Sequence, residues 1–137
     1  MTLTRDEKTA LAEYRIQKAK SIYEDALFNL KSGRYATAVN RSYYAVLAAA
    51  RALLVLRGVD PVTHSGCKTM LSLHFVKPGL LSKDMVEDFK ILLAMRTDLD
   101  YGDFEEVDKQ KAEDSLRRAE RFLKRAGEVV RTLIAEM

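Results

Sequence analysis

From Arg34 to Arg57 the chain runs without a glycine or a proline, and most of that stretch is apolar. Ala36, Val39, Tyr43, Val46, Ala50 and Leu53 recur at the three-and-four spacing of a helix face. Tyr44, Ala45, Ala48, Ala49, Ala52 and Val55 make the other faces apolar as well. A helix that is apolar on more than one side must be covered on more than one side, so this element is central to a bundle or part of a dimer seam. It ends at Arg57-Gly58, where glycine takes the left-handed C-terminal position at little cost.

The remaining segments read as helices of the ordinary one-faced kind. Thr4-x-x-Glu7 is a capping box that opens a helix running to Lys31, before Gly33, with Leu11, Ala19, Ile22, Ala26 and Leu30 on its apolar stripe. A shorter helix starts near Thr63 or Ser65 and reaches Val76, where Pro78-Gly79 forces a turn. Ser82 caps the next, which runs to about Arg96 and lines up Met85, Phe89, Leu92 and Arg96. The last begins near Asp108 and carries Ala112, Leu116, Ala119, Leu123, Ala126, Val130, Leu133 and Met137. With no strand signal and no fixed-period repeat, the expectation is one all-α domain over residues 1–137. Its economical form is an antiparallel four-helix bundle with one additional short helix.

Composition narrows the setting more than the function. A domain of 137 residues buries roughly 68% of its unfolded surface, so it needs no covalent staple. The single Cys67 permits no internal disulfide, and the first residues lack the apolar core of a secretory signal. A reducing cytoplasm is the simplest location. A membrane is not expected as a partner, because the richest apolar stretch, Tyr43 to Leu56, is interrupted by Arg51 and falls short of the roughly 20 residues of a spanning helix. The net charge of +3 does not by itself argue for nucleic acid. Asp98, Asp100, Asp103, Glu105, Glu106 and Asp108 form an acidic block without Lys or Arg, so an anion site there must borrow its positive charge from elsewhere.

Few residues offer chemistry. His64, His74 and Cys67 are too few and too scattered to expect a metal site, and no cofactor is called for. His64 and Cys67 lie one helical turn apart and read most simply as an N-terminal helix residue and a small buried one. No glycine-rich phosphate loop and no nucleophile elbow is present. What remains is Asn40-Arg41-Ser42-Tyr43-Tyr44 on the central helix and the segment from Arg96 to Phe104. Arg96 continues an apolar stripe, so its guanidinium needs partners, and the acids after it are natural ones. The simpler account of Arg96 is a cation in the last turn of a helix, and Asp-Tyr-Gly-Asp-Phe reads equally well as a turn pinned by two aromatics.

These stretches resemble the HEPN domain, in its branch of small free-standing prokaryotic proteins. The resemblance runs from about Ala10 to Val130. It is carried by Asn40 through Ala45, by Thr63-His64-Ser65-Gly66, by Leu73-His74-Phe75-Val76-Lys77 and by Arg96 through Phe104. It implies a bundle that homodimerises and works beside a minimal nucleotidyltransferase in a two-component, toxin–antitoxin-like module. Ribonucleolytic members carry Arg, four to six residues, then His, the Arg holding phosphoryl charge and the His moving a proton. Here Arg96 is followed after four residues by Tyr101. A tyrosine would have to fall by about three pKa units, or about 4 kcal/mol, to act as a base at neutral pH, and Asp98, Asp100 and Asp103 oppose that. Arg57 and His64 have a matching spacing but straddle a helix end and a proline, and are set aside as coincidence.

Three functions stay open. One is a subunit acting with a nucleotidyltransferase that modifies Tyr101. Another is a metal-independent ribonuclease with Arg96, Asp100 and Tyr101 as the catalytic candidates and Asn40, Arg41 and Tyr44 contacting RNA or a nucleotide. The third is a non-catalytic nucleotide-binding or interaction bundle, in which Tyr43 is core and Tyr44, one position round the helix, faces elsewhere.

Overall fold

The computed structural model describes residues 2–101, without the side chain of Tyr101, and residues 106–137. Gly102, Asp103, Phe104 and Glu105, on which part of the motif after Arg96 falls, lie outside the described residues, and so does the turn expected there.

Every regular element among the described residues is helical: α1 (Arg5–Lys31), α2 (Tyr35–Leu56), α3 (His64–Leu71), a π-helical turn (Ser72–Val76), α4 (Lys83–Tyr101) and α5 (Lys109–Glu136). The capping box forms as expected, the Thr4 hydroxyl accepting from the Glu7 N–H at 3.1 Å and the Glu7 carboxylate from the Thr4 N–H at 2.9 Å. Gly33 and Gly58 adopt φ of 76° and 74°, which lets the Arg34 N–H reach back to Asn29 and the Val59 N–H to Leu54.

α2 is the axis of the bundle and packs against α1, α3, α4 and α5. Fourteen of its residues are buried, which is why the sequence shows apolar character on several faces. Ala12, Ala19 and Ala26, seven apart on α1 and fully buried, form a small-residue seam that lets the α2 backbone come close. On α5 the buried set is wider than its periodic stripe, because Phe122 and Val129 join it. No described helix is long and apolar enough to cross a membrane.

α4 departs from expectation at its end, continuing past Arg96 to Tyr101. The Thr97 hydroxyl donates to the Leu93 carbonyl at 2.8 Å, and Arg96 pairs with Asp100 one turn on. Leu99 meanwhile packs with Met95 and Val107 on the smaller apolar cluster around Val39 and Leu116. The first two of the six acids therefore belong to a helix instead of a connecting loop.

Candidate functional site

Helical geometry places the pieces. On α2, Arg41 and Tyr44 are one turn apart, and the Arg41 guanidinium lies 5.1 Å from the Tyr44 ring centroid. The Asn40 side-chain oxygen accepts from Arg41 Nε at 3.2 Å and Nη2 at 2.9 Å, fixing that guanidinium. Tyr43, one residue round, points into the core and is fully buried. Its ring meets Phe89 of α4 edge-on at 5.7 Å and Tyr44 at 5.2 Å.

Arg96 lies two helical turns beyond Phe89 on the same stripe of α4, which brings it over the tyrosine pair. Its guanidinium sits 5.6 Å from the Tyr44 ring and 5.9 Å from the Tyr43 ring. Two cations thus share the electron-rich surface of one tyrosine. Arg96 Nε approaches Asp100 Oδ2 at 2.9 Å as an ion pair, yet the buried N–H does not point at it and has no hydrogen-bond acceptor among the described residues. Asp100 is more than a third exposed, so solvent screens much of that attraction. Among the described residues, the acids after Arg96 therefore neutralise it only in part.

α3 supplies the member that sequence reasoning set aside. Thr63 caps α3, its hydroxyl accepting from the Gly66 N–H at 2.9 Å, and this fixes His64 as the first helical residue. The His64 Nδ1 is hydrogen-bonded to the Tyr43 hydroxyl, and the two rings stand 5.5 Å apart. Burial pushes the Tyr43 hydroxyl far above its ordinary range, so it stays protonated. Burial, and then the Arg96 charge, push the His64 imidazolium down, which favours the neutral ring.

Of the six residues singled out for chemistry, Arg41, Tyr44 and Arg96 come together, with Asn40 behind Arg41 and Asp100 beside Arg96. Tyr101 ends α4, and its side chain lies outside the described residues. His64 and Tyr43 were missed because they are distant in sequence and only the packing of α3 on α2 joins them. The signals available were the position of His64 at a helix start just after α2 and the presence of both residues in stretches that carry the family resemblance. Arg57 does not join it, because its guanidinium lies 5.6 Å from the Phe75 ring. Cys67 is buried, which raises its thiol pKa and makes it a poor nucleophile. Among the described residues no group of three His, Cys, Asp or Glu side chains could hold a metal ion.

Fold and site together define an all-α bundle that gathers two arginines, two tyrosines and a histidine where its second, third and fourth helices meet. The chain belongs to the HEPN domain family, whose profile matches residues 12–129. It is 34% identical over 118 residues to a Thermotoga maritima protein called "UPF0332 protein", covering 86% of this chain and 89% of that one. A Methanocaldococcus jannaschii protein named "Putative toxin MJ0605" is 29% identical over 124 residues, covering 90% of this chain and 87% of the relative. The fold is also that of TT1696 from Thermus thermophilus, whose crystal structure superimposes with a TM-score of 0.74 at 24% identity over 86% of this chain and 97% of that one.

Proposed function

We propose that the protein is the HEPN subunit of a two-component, toxin–antitoxin-like module, acting with a minimal nucleotidyltransferase, and that the Arg96 cluster and Tyr101 form the surface the two proteins share. The observation that carries this reading is the pairing of a partly neutralised guanidinium–tyrosine patch with a helix that ends at Tyr101, five residues on. Two relatives from M. jannaschii carry the word toxin in their names, which supports an effector role for the bundle.

In this reading the partner transfers a nucleoside monophosphate to Tyr101. The phenolic oxygen attacks the α-phosphorus of ATP, the bond to the β-phosphate breaks, pyrophosphate leaves and the phenolic proton passes to a base of the partner. The added phosphodiester is an anion on the helix that carries Arg96, and its expected effect is to occupy the cations the effector needs.

Growth and mass measurements test it together. Expression of the chain alone is expected to arrest growth, and Arg96→Ala to relieve the arrest while the protein stays folded. Incubating the chain with a minimal nucleotidyltransferase partner and ATP should add one nucleotide to the Tyr101 peptide, and Tyr101→Phe should prevent that. No complex and no added nucleotide under any condition would overturn the proposal.

A further inference from the structure

We propose that His64 is part of the Arg96 site as a neutral hydrogen-bond donor, its Nε2–H and the Arg96 guanidinium together holding an oxygen of a phosphate ester. This rests on the reading above only in taking the cluster to face phosphate.

The argument begins with the fully buried Tyr43. Its hydroxyl has one hydrogen-bond partner among the described residues, His64 Nδ1. A buried hydroxyl that stayed protonated but accepted from Nδ1–H would leave its own hydrogen unpaired, at a cost of about 1–3 kcal/mol. Tyr43 therefore donates, Nδ1 accepts, and the ring proton belongs on Nε2. The charged and titratable groups around the imidazole are Tyr43 and Arg51 of α2, Cys67 of its own helix and Arg96 of α4. Neither arginine favours a second proton on the ring.

An imidazole locked in this way has a single free function, a neutral N–H, for which no acceptor is found among the described residues. It stands 5.5 Å from the Tyr43 ring, and Arg96 stands 5.9 Å from the same ring, so both donors lie against one rigid aromatic. His64 also lines a cavity of about 300 Å³ with Arg51, Val62 and Cys67, to which Arg96 does not contribute. Arg51 there pairs with Asp60 through Nη2 at 3.1 Å, while its buried Nε has no acceptor among the described residues. Uncommitted N–H donors of this kind suit an oxyanion. A phosphate ester suits them because each of its charged oxygens can accept more than one hydrogen bond, so one oxygen can take the His64 Nε2–H and an Arg96 N–H together.

The test uses the whole chain labelled with ¹⁵N at its two histidines, with His64→Gln and His64→Asn as variants. Long-range ¹H–¹⁵N correlation at neutral pH should show His64 with the proton on Nε2; a proton on Nδ1, or on both nitrogens, would overturn the proposal. Inorganic phosphate, AMP and a short single-stranded RNA are then titrated in turn, reading the Nε2 resonance. A response to AMP points to a nucleotide, a response to RNA alone points to a strand, and no response to any probe overturns the proposal. Gln carries an N–H close to the Nε2 position and Asn does not. His64→Gln should keep the dissociation constant of the responding probe within about threefold, and His64→Asn should weaken it by about tenfold. Equal weakening by the two folded variants would reduce His64 to a spacer and overturn its role as a donor. These measurements need no partner protein: a response at His64 without nucleotide addition to Tyr101 sinks only the nucleotidyltransferase reading, and the reverse result sinks only this one.

Discussion

Two groups of arginines in this bundle differ in what they face. On α5, Arg118 and Arg121 converge on Asp88 of α4, with Arg118 Nη1 at 2.9 Å and Arg121 Nη2 at 2.7 Å from one oxygen and Arg121 Nε at 3.0 Å from the other. Arg118 is held in turn by Asp114 at 2.8 Å. Asp88 is 2% exposed, and two cations meet its charge inside the protein. On α2 and α4, Arg41 and Arg96 lie instead against a ring. A tyrosine face attracts a guanidinium without cancelling its charge or taking up its in-plane N–H donors. The first group pins two helices together, and the second leaves the Arg96 charge only partly neutralised.

Breaking the α4–α5 pin should have the largest effect on stability. With Arg118→Ala and Arg121→Ala combined, Asp88 is a buried carboxylate without its partners, and a loss of about 3–5 kcal/mol is expected in urea denaturation followed by circular dichroism. A loss below about 1 kcal/mol would mean that water replaces both arginines at Asp88.

Arg96→Ala sharpens the contrast from the other side. It removes two ring contacts and one screened ion pair, so a stability change of about 1–2 kcal/mol is expected, with the growth arrest abolished. A loss as large as that of the Asp88 pin would make Arg96 a structural residue.

Tyr43→Phe keeps the ring that Phe89 packs against and removes only the hydroxyl. About 1 kcal/mol should be lost, and His64, freed from its donor, should populate both tautomers in the same NMR correlation. An unchanged Nε2–H pattern would show that something other than Tyr43 sets the tautomer.

The smallest effect is a pH dependence. The His64 pKa is lower in the folded protein than in the unfolded chain, where it is near 6.5, so the unfolded state takes up the proton first as pH falls. Stability is unaffected by this group above that range, declines as pH drops below about 6.5, and levels off under the folded-state value. His64→Gln should remove this component, which denaturation midpoints between neutral and mildly acidic pH would reveal.

The Arg96 patch was half legible in advance for a physical reason. Arg41 and Tyr44 share a face because they are one turn apart, and Arg96 shares a stripe with Phe89 and Leu92, relations that the helical period fixes locally. The stripe also foretold that Arg96 would be drawn inward, and 18% of its side chain is exposed. The end of α4 was misjudged because acidic residues near a helix C-terminus oppose the dipole, and local propensity takes no account of Leu99 finding a core or Asp100 finding Arg96.

By itself the sequence determined the helices, their caps and the central place of α2, since spacing, glycine and capping chemistry act within a few residues. Only the tertiary structure decided that His64 meets Tyr43 from twenty-one residues away and that Asp88 takes two arginines from α5. It also decided that Arg96 rests on a ring belonging to another helix. Such contacts depend on how helix faces interlock, and each partner alone looks like an ordinary core or surface residue.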